Sequence, residues 1–414
     1  MRHQFKYIII SLGLSLASPI FAQPGFDGNL YYRAYLETPG GELPFQFSIP
    51  VDQVEQKKIS SGEIYNVTER ISFQARKLDN DSIEILLPVF NCKILAGSSD
   101  YKTFNGTWQD YSRPGEYKLS FSAVYSPNRY PYRFKENPLP PKSNISGRWD
   151  ALITDESTTD STVGIFEQTG NRLTGTFLTT TGDYRFLEGD VSADSFFLSA
   201  FDGSHAFLFK GKILDDGSLD GDFWSGKHYH ATFTALRNEN AKLPDAKKLT
   251  YLKEGYSKIE FSFPDENGKI VSLNDEEFKN KPVVILITGS WCPNCMDEAS
   301  YMSEVEKKYK NTDLRIIALQ FERQTDSLNF RNNMIRQRNH FGIHYPMLNA
   351  GSNRKASAAL PMLNQVMGFP TTIILNRQHD IVEIHTGFSG PATGELFIQF
   401  QEQFEELLDS LLAK

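Results

Sequence analysis

Two kinds of hydrophobic periodicity divide the chain near Pro244. Before it, short segments such as Gly175–Thr180 and Ala206–Gly211 place their apolar residues on one strand face, or on both where the strand is buried. Asp202-Gly203 and Asp216-Gly217 fall between such segments and predict hairpin turns. After Pro244 the pattern changes. Val283–Thr288 is an unbroken β-branched run suited to the centre of a parallel sheet. Met296, Ala299, Met302, Val305 and Tyr309 then recur at helical spacing from about Pro293. Leu314–Leu319, Thr371–Leu375 and Ile381–His385 predict three more strands, with Asn376–Asp380 as the turn between the last two. Leu396, Phe400, Phe404, Leu407, Leu408 and Leu411 line one face of a closing helix. This order predicts a βαβ unit, a helical insertion at about 320–369, and a ββα unit.

The alternating part contains an internal repeat. Phe73, Asp81, Ser82, Ile83 and Ile85 align without a gap on Phe186, Asp194, Ser195, Phe196 and Leu198. Phe104-Asn-Gly-Thr-Trp108 resembles Leu219-Asp-Gly-Asp-Phe223, and Tyr117–Ala123 resembles Tyr229–Ala235. The expected domains are therefore a first all-β unit at 23–137, its repeat at 142–240, and an α/β domain at 251–414. The Pro138-Leu-Pro-Pro141 link between the β units should be extended and stiff. Each β unit should be a small barrel or sandwich. Gly147-Arg-Trp149 resembles the opening of a lipocalin's first strand and hints at a barrel.

Aromatics make up 13% of the 414 residues and concentrate in the β units, where they pack well. The formal charge of −8 with no Lys/Arg block argues against nucleic-acid binding. Residues 1–22 read as a signal peptide: Arg2 and Lys6, a short apolar stretch Tyr7–Leu16, Pro19, and Ala22 at the cleavage point. The stretch is too short to span a membrane, and no later segment is long enough. The mature protein should be exported and soluble.

Only three cysteines are present, too few for a disulfide framework. Cys292 and Cys295 form a C-x-x-C pair where a buried strand passes through Gly289-Ser-Trp291 into a helix. Unpaired N–H groups and the dipole at a helix start favour a thiolate at Cys292. Pro293 suits the first helical turn, where its missing N–H costs nothing. Cys292 would attack a partner disulfide and Cys295, one turn deeper, would resolve the mixed disulfide. A zinc site would need two further ligands, His340 and His344 being the nearest, and a c-type haem site would need His where Met296 stands. No metal or cofactor is expected. Cys92 reads as a buried free thiol packing as a small hydrophobe.

Residues 251–414 resemble the thioredoxin superfamily, and specifically the TlpA/ResA-like group of exported thiol–disulfide reductases. Trp291-Cys-Pro-Asn-Cys295 and Phe369-Pro370-Thr371 carry the likeness. The resemblance implies that Phe369-Pro370-Thr371 is the family's cis-proline loop, facing the redox pair and docking substrate backbone. It also implies that Glu298 is the family's functional glutamate, moving protons to and from Cys295. The acid that thioredoxin buries six residues before its first cysteine is replaced by Leu286. Trp291 could shape the docking surface or fill the strand–helix junction. The implied activity is protein disulfide reduction in the periplasm, fed by an external, membrane-bound thiol electron donor. Two rivals are a thioredoxin-fold peroxidase and an envelope binding or scaffold protein with an accessory redox domain. Ile285 and Gly289 stand where a peroxidase pattern would place Pro and Thr/Ser, which argues against the first. The β units carry no recognisable catalytic constellation.

Overall fold

Each β unit closes on itself. The computed structural model describes residues 27–413 apart from 57, 79, 80, 88, 114 and 129–131, so the expected signal peptide lies outside the described residues. Strands β1–β8 are Asn29–Thr38, Gly41–Pro50, Ser61–Asn66, Glu69–Lys77, Ser82–Leu87, Cys92–Gly97, Thr103–Asp110 and Lys118–Ser126, with a short helix α1 (Val51–Glu55) after β2. They follow one another antiparallel, and β1 pairs back onto β8 to close a barrel. Strands β9–β17 are Gly147–Thr154, Thr159–Thr169, Arg172–Thr179, Gly182–Asp183, Leu187–Ser192, Ser195–Phe201, Ala206–Ile213, Leu219–Ser225 and Tyr229–Arg237. Pairing of β10 with β11 closes a second barrel, and the two-residue β12 is an outlier attached to β11.

The repeat is visible as matched inward faces. Leu119, Phe121 and Ala123 of β8 point into the first barrel as Ala231, Phe233 and Ala235 of β17 point into the second. The aromatic surplus fills these interiors: Phe209 stacks on Phe223 at 4.2 Å and on Phe177 at 4.8 Å. The repeated glycines have a steric cause. Gly106 faces Ala96 across β6–β7, and a Cβ on it would overlap the Leu95 carbonyl. Gly221 faces Gly211, and its Cβ would lie 2.7 Å from the Gly211 Cα. Close approach of two backbones leaves no room for a side chain at either site.

The barrels are joined. β14 lies against β2 and β3, with Phe201 on Phe45 at 4.5 Å. Arg133 is buried between them and donates to Ser199 Oγ (3.0 Å), Asn66 Oδ1 (3.1 Å) and the Tyr65 carbonyl (3.2 Å). The β14–β15 turn, Asp202–His205, reaches the first barrel's core, where Trp108 Nε1 donates to the Gly203 carbonyl at 2.9 Å. The Pro-rich link lies along the second barrel, with the Leu139 N–H donating to Ser192 Oγ at 3.0 Å.

The third domain begins with a small hairpin, β18–β19 (Ser262–Pro264, Ile270–Ser272). Its sheet uses β20 (Val283–Thr288), β21 (Arg315–Glu322), β22 (Met347–Ser352), β23 (Thr371–Leu375) and β24 (Ile381–Thr386) in the order β22-β21-β20-β23-β24. The first three strands are parallel; β23 runs antiparallel to them, and β24 turns back antiparallel to β23 to form a hairpin. All of β20 is buried, with Val283, Ile285 and Ile287 on one face and Val284 and Leu286 on the other. Helices are α2 (Pro293–Lys308), α3 (Ser327–Phe341), α4 (Ala356–Ala359) and α5 (Glu395–Leu412). The stretch 320–369 differs from the all-helical insertion expected of it. It holds the end of β21 and the edge strand β22 as well as α3 and α4. The β21 end is polar yet buried, because Gln320 donates to Gln337 Oε1 at 2.8 Å and Glu322 is held by Ser290. β22 carries Asn349 and Gly351, poor strand formers, and joins β21 through a register shift.

Candidate active site: a dithiol where three domains meet

Cys292 is the N-cap of α2, and its Sγ accepts the Cys295 N–H at 3.3 Å. Pro293 fills the first helical position. The Cys292 Sγ also lies 3.4 Å from the Phe369 carbonyl. Both residues of the pair are free thiols, Cys292 at 4% exposure and Cys295 fully buried. Burial, and then the hydrogen bond with Cys292, push the Cys295 thiol well above its ordinary range. The helix start and the burial therefore divide labour: an N–H donor faces Cys292 and an apolar pocket keeps Cys295 protonated.

Glu298, one turn beyond Cys295, is 1% exposed rather than a solvated surface residue. Burial raises its carboxyl to about 8, opposed by the hydrogen bond that Thr372 Oγ1 donates to it. Thr372 is the cross-strand partner of Leu286. The strand position that lacks an acid is thus served by a carboxyl reaching in from the helix, and this carboxyl acts electrostatically on Cys295. A carboxyl that titrates about one unit above pH 7 exchanges its proton readily there, and its ionised fraction can accept the proton that the buried thiol releases.

The Phe369–Pro370 bond is cis and sets the Phe369 carbonyl against Cys292. Thr371 is fully buried and donates from Oγ1 to the Gly368 carbonyl at 2.9 Å. Trp291 is half-buried: its Nε1 donates to the Phe321 carbonyl at 2.9 Å and its ring meets Phe369 edge-on at 5.4 Å. It thus fills the strand–helix junction and also borders the redox pair.

Several residues around the pair carry no local signal. Arg323 sits 4.7 Å over the Trp291 ring, and its guanidinium interacts electrostatically with Cys292. His205 of the β14–β15 turn contacts the Trp291 carbonyl at 3.2 Å. Arg185, also from the second barrel, donates to Asp297 Oδ2 at 2.8 Å and to the Pro293 carbonyl at 3.3 Å. Only the Asp297-Glu298 doublet on the first turns of a helix could have drawn attention to Asp297 beforehand. Cys92 lies in the same apolar cluster as the redox pair, and its thiol is pushed up by burial and by Asp110. Among the described residues no group of three or more His, Cys, Asp or Glu side chains is placed to hold a metal ion.

The model of the AhpC/TSA family matches residues 255–384. The thiol-disulfide oxidoreductase ResA of Bacillus subtilis is 28% identical over 137 residues, 33% of this chain and 69% of that protein. The third domain is similar to the ResA-like thiol–disulfide oxidoreductases. The thioredoxin-like protein YneN of Bacillus subtilis is 27% identical over 142 residues, 34% of this chain and 76% of that protein. A solved thiol-disulfide oxidoreductase from Bacteroides fragilis is 18% identical, covering 35% of this chain and 99% of its own, with a TM-score of 0.27. The family match lies within the third domain, and two barrels precede it.

Proposed function

We propose that this protein is exported to the cell envelope and there reduces disulfides in other proteins, with Cys292 as attacking thiolate and Cys295 as resolving thiol. The observation that carries the reading is the position of Cys292 Sγ, capping α2 and facing the Cys295 N–H at 3.3 Å. The Cys292 thiolate attacks one sulfur of the partner disulfide, forming a mixed disulfide and releasing the other sulfur as a thiolate that takes up a proton. Cys295 then gives its proton to the ionised form of the buried Glu298 carboxyl, which acts on it electrostatically, and its sulfur attacks Cys292 Sγ. The partner leaves with two thiols and the chain retains a Cys292–Cys295 disulfide. An external dithiol donor at the membrane returns it to the reduced form. This donor is read as a separate, membrane-bound protein. Pro293, Trp291 and Phe369 border the thiol and form the surface on which the partner docks, while the buried Pro370 and Thr371 hold the Phe369 carbonyl in place behind it.

The test is an equilibrium titration of the full chain in glutathione and dithiothreitol buffers, followed by tryptophan fluorescence, with Cys292→Ser as control. A reversible two-electron transition near the thioredoxin potential, about −270 mV, is expected. A transition near −120 mV, roughly that of a strong oxidant, overturns the direction, and no transition overturns the redox role.

A further inference from the structure

The second barrel sends one hairpin out onto the redox domain. Thr179–Arg185 joins β11 to β13 and contains β12. In the orientation its neighbours require, the Asn294 amide donates to the Asp183 carbonyl at 3.2 Å and accepts from the Asp183 N–H at 3.1 Å. Those are the two backbone groups that a neighbouring strand would pair. The Asp183 carboxylate accepts the Gly390 N–H at 2.8 Å. Gly182 lies directly under Asn294, and a Cβ there would overlap the amide.

The opposing surface is built for a chain. A Cβ on Gly368 would overlap the Thr181 methyl, and one on Gly387 would lie 2.7 Å from the Thr180 carbonyl. A Cβ on Gly390 would lie 3.2 Å from Asp183 Oδ2. Three glycines of the third domain thus leave a groove that the hairpin fills. Its walls are Pro293–Asn294, directly after Cys292, and Gly368–Phe369, whose carbonyl touches Cys292 Sγ. The hairpin is anchored behind by Arg185, buried among Asp297 of α2, Asp202 of its own barrel and Glu69 of the first barrel.

A partner disulfide must bring a sulfur in line with Cys292 Sγ, and the chain carrying it must lie on these same two walls. Cys292 at 4% exposure offers no such approach. The hairpin contains no cysteine, so it can occupy the groove without reacting.

We propose that Thr179–Arg185 is a resident pseudosubstrate, that exchange at Cys292 requires it to withdraw, and that the groove then takes an extended partner segment with a small residue followed by a carboxylate. This rests on the redox role proposed above and adds the regulation and the recognition chemistry of the same site. The Asn294 amide would read the partner's backbone and the Gly390 N–H its carboxylate, as each now reads Asp183.

The experiment uses the reduced full chain. The rate at which iodoacetamide alkylates Cys292, located by mass spectrometry, is measured for wild type, for wild type unfolded in urea at the same pH, and for Thr181→Trp, whose side chain cannot fit between Gly368 and Gly387. If the hairpin is docked at least nine-tenths of the time, its release should accelerate alkylation about tenfold or more. Thr181→Trp should also reduce a cystine-bearing peptide containing Gly-Asp faster than one containing Gly-Lys. Wild-type Cys292 reacting as fast as in the unfolded chain, or a folded Thr181→Trp protein reacting at the wild-type rate, overturns the pseudosubstrate. Equal rates on the two peptides overturn the recognition chemistry. The redox titration separates these failures from that of the underlying activity: with it intact, only the hairpin reading falls. The comparison of native with unfolded wild type decides the matter even where Thr181→Trp does not fold.

Discussion

Glu298→Gln should make the protein more stable, and increasingly so as the pH rises. The wild-type carboxyl is held at about 8 in the folded chain against an ordinary 4.5, because burial disfavours its charged form. A folded pKa above the unfolded one means that the folded state binds the extra proton. The relative stabilisation is full below about pH 4.5 and is lost as pH rises through about 8. At 1.36 kcal/mol per unit, the loss reaches about 3.4 kcal/mol by pH 7 and about 5 kcal/mol above pH 8, an upper figure because local relaxation lowers it. Gln has the same shape, can still bond Thr372, and does not titrate. Urea unfolding of both reduced proteins between pH 5 and 9 measures the effect, and the barrels cancel in the difference. The variant should gain on wild type by about 1 kcal/mol per pH unit up to pH 8 and then level off. A difference that stays flat across this range would refute the buried, proton-holding carboxyl. In the same variant, resolution of a trapped mixed disulfide should slow relative to its formation, since Cys295 loses its proton partner.

Further expectations follow from individual contacts. Cys92→Ala should leave the redox transition unmoved, and native Cys92 should resist alkylation at pH 8 because burial and Asp110 hold the thiol protonated; rapid native labelling would contradict this. Trp108→Phe removes the indole bond to Gly203 and leaves a buried carbonyl without its donor, a loss of about 1–3 kcal/mol in denaturant unfolding. Gly106→Val should prevent β6 and β7 from pairing, read as loss of soluble protein, whereas Thr107→Val on the same strand should not.

What could be read from the chain was what local periodicity encodes. The β20 run, the α2 spacing and the β23–β24 turn lie where the pattern placed them, because each is a short segment whose own residues decide its burial. Cys292, Cys295, Glu298, Trp291 and Phe369–Thr371 come together in space, although no local pattern linked Glu298 to Thr372. Closure was not legible: barrel and sandwich share the same alternation, and the choice rests on the long-range pairs β1–β8 and β10–β11. The polar end of β21 was missed because Gln320 and Glu322 are buried only with partners from α3 and the β20–α2 junction. Asn294 shows the limit most directly. Its place between two cysteines gives no sign of a backbone partner until the second barrel supplies the one it pairs with.

The two barrels repeat in sequence but do not meet as equals. β14 of the second lies on β2 of the first, while the corresponding face of the first, β5, is not turned toward β10 of the second. In this chain the free β5–β6 side of the first barrel, around Leu86, Phe90 and Lys93, is instead bordered by Arg336, Asn339 and His340 of α3. The redox domain therefore covers the first barrel on this side as well as meeting the second, and removing it would expose both barrels.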